Sequence, residues 1–125
     1  MTENRIATLI LDVCFKIHRE LGPGLFESVY EEILEYEFIK MGLEVKRQHP
    51  VAVVWDELKM NVGFRADLIV EDKVIIEVKS VKMIEAVHQK QVQTYLRLTD
   101  LKLGLLINFN ESLLKTGIQR IVNGL

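Results

Sequence analysis

The sequence predicts an α/β fold: one domain over residues 1–125, built on a mixed central sheet flanked by helices. Three observations point there. Two segments with apolar residues at three- and four-residue spacing come first, followed by a stretch of alternating residues broken by polar turns. A further helical segment then separates the last of these strands from a short continuous apolar run, LGLLINF. A helix between two strands suggests a right-handed crossover to a parallel neighbour, and a sheet built that way is covered by helices. The 125 residues are 49% hydrophobic with a formal net charge of -2, the balance of one buried core and not of a disordered polymer.

Each element has its own warrant. In the first segment Ile6, Leu9, Ile10, Val13, Cys14, Ile17 and Leu21 fall on one helical stripe. Gly22-Pro23-Gly24 ends it, because glycine tolerates positive φ and proline cannot extend the hydrogen-bond ladder. A second helix is expected from Phe26 to Met41, with a seam of Phe26, Tyr30, Ile33, Leu34, Phe38 and Met41 and a stop at Gly42. Val51, Val53 and Trp55 then alternate, Asp56-Glu57 turns the chain, and Met60, Val62 and Phe64 alternate again into Asp67-Leu68-Ile69-Val70. The polar break Glu71-Asp72-Lys73 precedes the strand Val74–Lys79, which completes a meander of three or four strands. Helical spacing returns from Ile84 to Leu98. Leu103 to Phe109 reads as a strand covered on both faces, and Gly117 to Val122 as a last edge strand.

Composition excludes several classes. One cysteine rules out a disulfide framework and a Cys-rich zinc site, and fits a reducing compartment. No apolar run approaches the roughly 18 residues that span a bilayer, so no membrane role is expected. The start MTENRIATLI lacks the charged and then continuously apolar character of a secretory leader, and a cytoplasmic location is expected. With 16 Lys+Arg against 18 Asp+Glu, the chain is not a sequence-independent DNA coat. Any nucleic-acid role must rest on a local site.

The candidates for such a site are charges where the pattern calls for apolar residues. In the strand Val74–Lys79, Ile75, Glu77 and Lys79 share a face. A carboxylate and an ammonium there are costly to bury unless they are paired or bound to a cation, although a sheet-edge salt bridge, or an exposed face with charges of both signs, would also satisfy them. Register decides the role of Asp67. If Val70 pairs with Val74 across a three-residue loop, Asp67 falls opposite Glu77 and converges with it and Lys79, on a face expected to point toward the first two helices. A two-residue loop would separate the carboxylates. Two close carboxylates call for a cation, all-oxygen ligation suits Mg²⁺ or Mn²⁺, and a nearby lysine would orient a water and stabilise charge on a phosphate. That combination is phosphodiester hydrolysis.

Other polar residues carry two readings each. Glu27 shares the stripe of Tyr30, Leu34 and Phe38, either as a partner of the helix dipole or as a third carboxylate reaching the metal. His88, Gln91 and Tyr95 lie on one stripe of the third helix with Ile84 and Leu98. Gln91 is there either as a hydrogen-bonded core amide or as a support for the catalytic lysine or a substrate phosphate, with Tyr95 and His88 lining the same cleft. Cys14 reads as core, His18 as surface or packing, and His49 has no partner at ligand spacing.

The stretch Gly24-Leu25-Phe26-Glu27-Ser28-Val29-Tyr30 resembles the signature of the GxxExxY protein family, within the similar context IHRELGPGLFESVYEEIL. The likeness continues through RADLIVEDKVIIEVKSV and HQKQVQTYL to LGLLINF, nearly the whole chain. That family is assigned to the PD-(D/E)XK nuclease-like superfamily, which implies a restriction-endonuclease-like core. By this resemblance Asp67 matches the first acidic position and Glu77-Val78-Lys79 the E-x-K half. Glu27 matches the helix-borne glutamate of the RecB-like branch, and Gln91 with Tyr95 matches its Q-x-x-x-Y motif. Ala66 stands where the superfamily name has proline, a position that supplies no ligand atom.

The expectation is therefore an Mg²⁺- or Mn²⁺-dependent nuclease-like domain acting on DNA. Asp67, Glu77, the Val78 carbonyl and Glu27 would hold the ion, Lys79 would position the water, and Gln91 would support the site. Arg65 is expected to contact phosphate, with Lys82 and Lys90 as weaker candidates and Tyr95 and His88 lining the substrate cleft. The rival is a catalytically silent module binding nucleic acid or protein on the same fold. A homodimer is expected because a small, near-neutral domain gains substrate surface that way; recruitment by a protein partner is the other route.

Overall fold

Thr2 starts the first helix, its Oγ1 accepting the Arg5 N–H at 3.2 Å, in the computed structural model, which describes all residues, 1–125. Helix α1 runs Glu3–Leu21 and buries Ile6, Ala7, Ile10, Val13, Cys14 and Ile17. Burial pushes the Cys14 thiol well above its usual range, which makes it an inert core residue. Gly22, at φ 71°, ends the helix by donating to the His18 carbonyl. Helix α2, Glu27–Lys40, buries Tyr30, Glu31, Leu34 and Phe38. Two residues expected on its seam lie outside it: Phe26 is the N-cap and 81% exposed, and Met41 is exposed at the other end. The His18 ring donates to the Glu111 carbonyl at 2.7 Å and so ties α1 to the loop after the fourth strand.

Five strands form one sheet in sequence order: β1 (Val45–Trp55), β2 (Leu58–Val70), β3 (Val74–Lys79), β4 (Leu103–Asn108) and β5 (Ile118–Val122). The first three make the antiparallel meander. Helix α3, Ala86–Thr99, is the crossover that brings β4 parallel to β3. A 3₁₀ turn, Leu114–Gly117, leads into β5, which closes the edge antiparallel to β4. Every residue of β4 is buried, as a strand covered on both faces requires. β1 begins at Val45, six residues before the alternation that predicts it, because Lys46-Arg47-Gln48-His49-Pro50 carries no apolar period.

Each face of the sheet has its own core. Leu68, Val70, Val74, Ile76, Val78, Leu103, Leu105 and Ile107 pack on α1 and α2. Ala66, Ile69, Ile75 and Leu106 pack on Val92 and Leu96 of α3. Gly104 permits the second contact: a Cβ there would sit 2.6 Å from Val92 Cγ1. The outer half of the β1–β2 hairpin extends past β3, leaving Val54, Trp55, Leu58 and Val62 exposed.

Candidate active site where two strands part

Val70 pairs with Val74 across Glu71–Lys73, so the hairpin takes the three-residue register. Glu71 and Asp72 turn the chain at φ 54° and 52°. The ladder runs through Ile69↔Ile75 to Leu68↔Ile76, and the same step brings Asp67 opposite Glu77. There the backbone ladder gives way to side chains. The Asp67 N–H donates to Glu77 Oε1 at 3.3 Å, and the Val78 N–H donates to Asp67 Oδ2 at 2.9 Å. Within a strand the N–H and C=O of one residue point to the same side, so the Val78 carbonyl also faces this gap.

The pleat of β2 breaks at this point. Ala66 and Leu68 are two residues apart, yet the first packs in the α3 core and the second in the α1/α2 core. A regular strand would put both on one face. Gln48, across from Asp67 on β1, carries the matching irregularity at φ 49°. The expected orientation toward α1 and α2 is therefore corrected. Glu77 alternates with Ile75, which packs under α3, so its side of the sheet is that helix's side, while Asp67, at the broken pleat, is tied through Gln48 to Glu31 of α2. Tyr95 of α3 is held there by stacking on Phe64, with centroids 4.0 Å apart and planes 5° off parallel. Burial raises its hydroxyl pKa, and the nearby charges of Glu77 and Asp67 add to the effect.

The electrostatics follow from burial. Glu77 is 6% exposed, and desolvation followed by the Asp67 charge pushes its carboxyl up to about 8. Asp67 is raised by burial and then by Glu31, against the Val78 N–H, Gln48 and Lys79, which favour its charged form. Such a pair either shares a proton or takes up positive charge. The donor set fits a small hard cation: two carboxylates and a backbone carbonyl, all oxygen. No group of three or more His, Cys, Asp or Glu side chains has metal-ligand spacing. An ion here would keep several waters, as Mg²⁺ does when one or two carboxylates hold it.

Sequence reasoning missed two residues that join α2 to the pair. Glu31 is 4% exposed and accepts from Arg47 Nε at 3.1 Å and Gln48 Nε2 at 2.7 Å. The same Gln48 nitrogen lies 3.2 Å from Asp67 Oδ1. Glu31 was detectable, since it shares the inward stripe of Glu27, Tyr30, Leu34 and Phe38. Gln48 was not, because nothing marked its segment as a strand.

The remaining candidates are more scattered. Lys79 is half-buried, and its charge acts on both carboxyls. Glu27 is engaged away from the pair: its Oε2 accepts the Ser80 N–H at 2.9 Å. Arg65, Lys82, Lys90 and Gln91 are exposed, so the buried-amide reading of Gln91 does not hold. His88 closes the first turn of α3, where its Nδ1 accepts the Glu85 N–H at 3.0 Å. No helix is long and apolar enough to cross a membrane.

A buried acid, Glu77, and a half-buried one, Asp67, thus meet at a break between antiparallel strands, with a lysine two residues after the second. The family model of the PD-(D/E)XK nuclease superfamily matches residues 4–121, and the chain belongs to that superfamily. No curated protein and no solved structure matches it.

Proposed function

We propose that the domain hydrolyses DNA phosphodiester bonds with Mg²⁺ or Mn²⁺ held by Asp67, Glu77 and the Val78 carbonyl. One observation carries this: a carboxylate pair at the strand break, Glu77 buried and Asp67 half-buried, in which the Asp67 charge raises the cost of ionising Glu77, with Lys79 two residues on. When bound, the ion supplies the positive charge that offsets the pair and polarises the substrate phosphate. The Val78 N–H and Gln48 orient Asp67, so its carboxylate needs little rearrangement to act. Lys79 holds the attacking water and stabilises negative charge on the phosphate oxygens as the P–O bond to the leaving group breaks. Tyr95 forms the wall under α3, with Gln91 and His88 one and two turns before it. Arg65 and Lys82 meet the phosphates of the bound strand. The G-x-x-E-x-x-Y and Q-x-x-x-Y patterns support a place among GxxExxY proteins of the RecB-like branch. DNA cleavage is expected with Mg²⁺ or Mn²⁺ and not with chelator. Ca²⁺ should bind with little turnover, because its looser coordination aligns water and phosphate less well.

The second reading, a silent module that binds nucleic acid or a protein partner, is favoured by the exposed apolar hairpin around Trp55. A second copy of the chain would cover that hairpin in a homodimer. Metal binding without cleavage of single-stranded, duplex or branched DNA, or of RNA, would select this reading.

A further inference from the structure

We propose that Glu27 is a positioning residue for Lys79, acting through the Lys79–Ser80 peptide, and that the G-x-x-E-x-x-Y segment is the clamp that holds this peptide. The inference rests on the hydrolytic reading of Lys79 given above. Lys79 is the last residue of β3, and the β2 ladder has already ended at Ile76, so the strand end has a single neighbour, β4. A lysine that must hold a water needs a better anchor than a fraying terminus.

The anchor is visible on both sides of one peptide unit. The Lys79 carbonyl accepts the Phe109 N–H at 2.9 Å, and the Ser80 N–H donates to Glu27 Oε2 at 2.9 Å. Ser80 Oγ adds a bond to the Leu25 carbonyl at 2.7 Å. The segment is itself braced by Tyr30, whose hydroxyl donates to the Gly22 carbonyl at 2.6 Å and accepts the Leu25 N–H at 3.3 Å. The Tyr30 ring stacks on Phe109, with centroids 4.4 Å apart and planes 9° off parallel. The contacts close a ring: Lys79–Ser80 peptide, Glu27, Tyr30, Phe109, and back to Lys79.

Each defined position of the signature has one task in that ring. Gly24 turns at φ 101°, which a side chain would strain. Glu27 accepts the Ser80 N–H, and Tyr30 joins the turn to Phe109. A ligand role for Glu27 fits the structure less well. One of its oxygens is committed to Ser80, and the charges acting on the pair are that of Asp67 on Glu77, that of Glu31 on Asp67, and that of Lys79 on both.

The test compares Glu27→Ala, Glu27→Gln and Tyr30→Phe with Asp67→Ala in the full chain. It reads Ser80 amide exchange by NMR, Mn²⁺ affinity by calorimetry, and kcat against KM for DNA cleavage. Glu27→Ala should expose the Ser80 amide and lower kcat by about 10- to 100-fold, the scale of a small misplacement, while KM and Mn²⁺ affinity hold. Glu27→Gln keeps an acceptor and should restore Ser80 protection and most of kcat. Tyr30→Phe leaves every carboxylate in place and should move exchange and kcat in the same direction as Glu27→Ala, by less. Should Glu27→Ala not fold, the other two variants decide. Loss of Mn²⁺ binding by Glu27→Gln as severe as that of Asp67→Ala would make Glu27 a ligand and overturn the proposal, as would unchanged Ser80 exchange in Glu27→Ala. If the wild type cleaves nothing, it is the hydrolytic reading that fails, and lysine positioning falls with it; exchange and Mn²⁺ affinity then still separate clamp from ligand.

Discussion

Replacing Glu77 by glutamine should remove a pH-dependent weakness from the metal-free protein. The glutamine carbonyl still accepts the Asp67 N–H, so the geometry at the strand break is kept while the charge is lost. In the wild type the Glu77 carboxyl is pushed up to about 8 from an ordinary value of 4.5. Between those two values the folded chain holds a proton that the unfolded chain has released, so folding stability falls as pH rises through the window. At 1.36 kcal/mol per unit, the shift sets a ceiling of about 5 kcal/mol on the loss, complete above pH 8 and absent below pH 4.5. That is a large part of the roughly 5–15 kcal/mol that holds a domain together. Urea unfolding of wild type and Glu77→Gln from pH 5.5 to 9, with chelator, measures it. The difference between the two curves cancels the histidines and should widen by up to about 1.4 kcal/mol per pH unit in favour of Glu77→Gln. Mg²⁺ at pH 8 should close the gap from the wild-type side. Parallel curves across the window would refute the claim that burial and Asp67 together hold Glu77 protonated.

The other expectations concern rate, packing and assembly. Lys79→Ala should keep Mn²⁺ affinity by calorimetry and lose most of the cleavage rate, whereas Asp67→Ala should lose both, because only the aspartate supplies a ligand atom. Arg47→Ala should cost about 2–3 kcal/mol in urea unfolding, since it leaves buried Glu31 with Gln48 alone; a cost under about 0.5 kcal/mol would mean that water replaces the guanidinium freely. Trp55 is the single tryptophan and 76% exposed, so its fluorescence reports burial of the hairpin directly. A blue shift with rising concentration, together with a dimer in sedimentation at tens of micromolar, about the range of weak association, is expected. A red, concentration-independent spectrum would leave the domain a monomer.

The order of elements was legible because it depends on short-range periodicity. The stripe Ile6 to Ile17, the alternation from Met60 to Phe64 and the run from Leu103 to Asn108 each bury what their spacing said they would, or pair as it said. Asp67, Glu77 and Lys79 stood out as charges in apolar strands, and that anomaly is visible without coordinates. Register was narrowed to two loops but not chosen, because a three-residue and a two-residue turn suit Glu71-Asp72-Lys73 equally well until Val70 meets Val74. The face of the site was out of reach for the same kind of reason. Alternation assumes an unbroken pleat, and the pleat breaks at Asp67, where side chains take over the ladder. Glu31 and Gln48 belong to the site through contacts spanning 17 and 19 residues, a separation that no local pattern encodes. Glu27 shows the division most clearly. Its helical stripe told that it faces inward, but its partner, the Ser80 N–H, lies 53 residues away and is chosen by how β3 ends against the turn before α2. Local spacing determined which residues are buried and charged; packing between distant segments determined which of them meet.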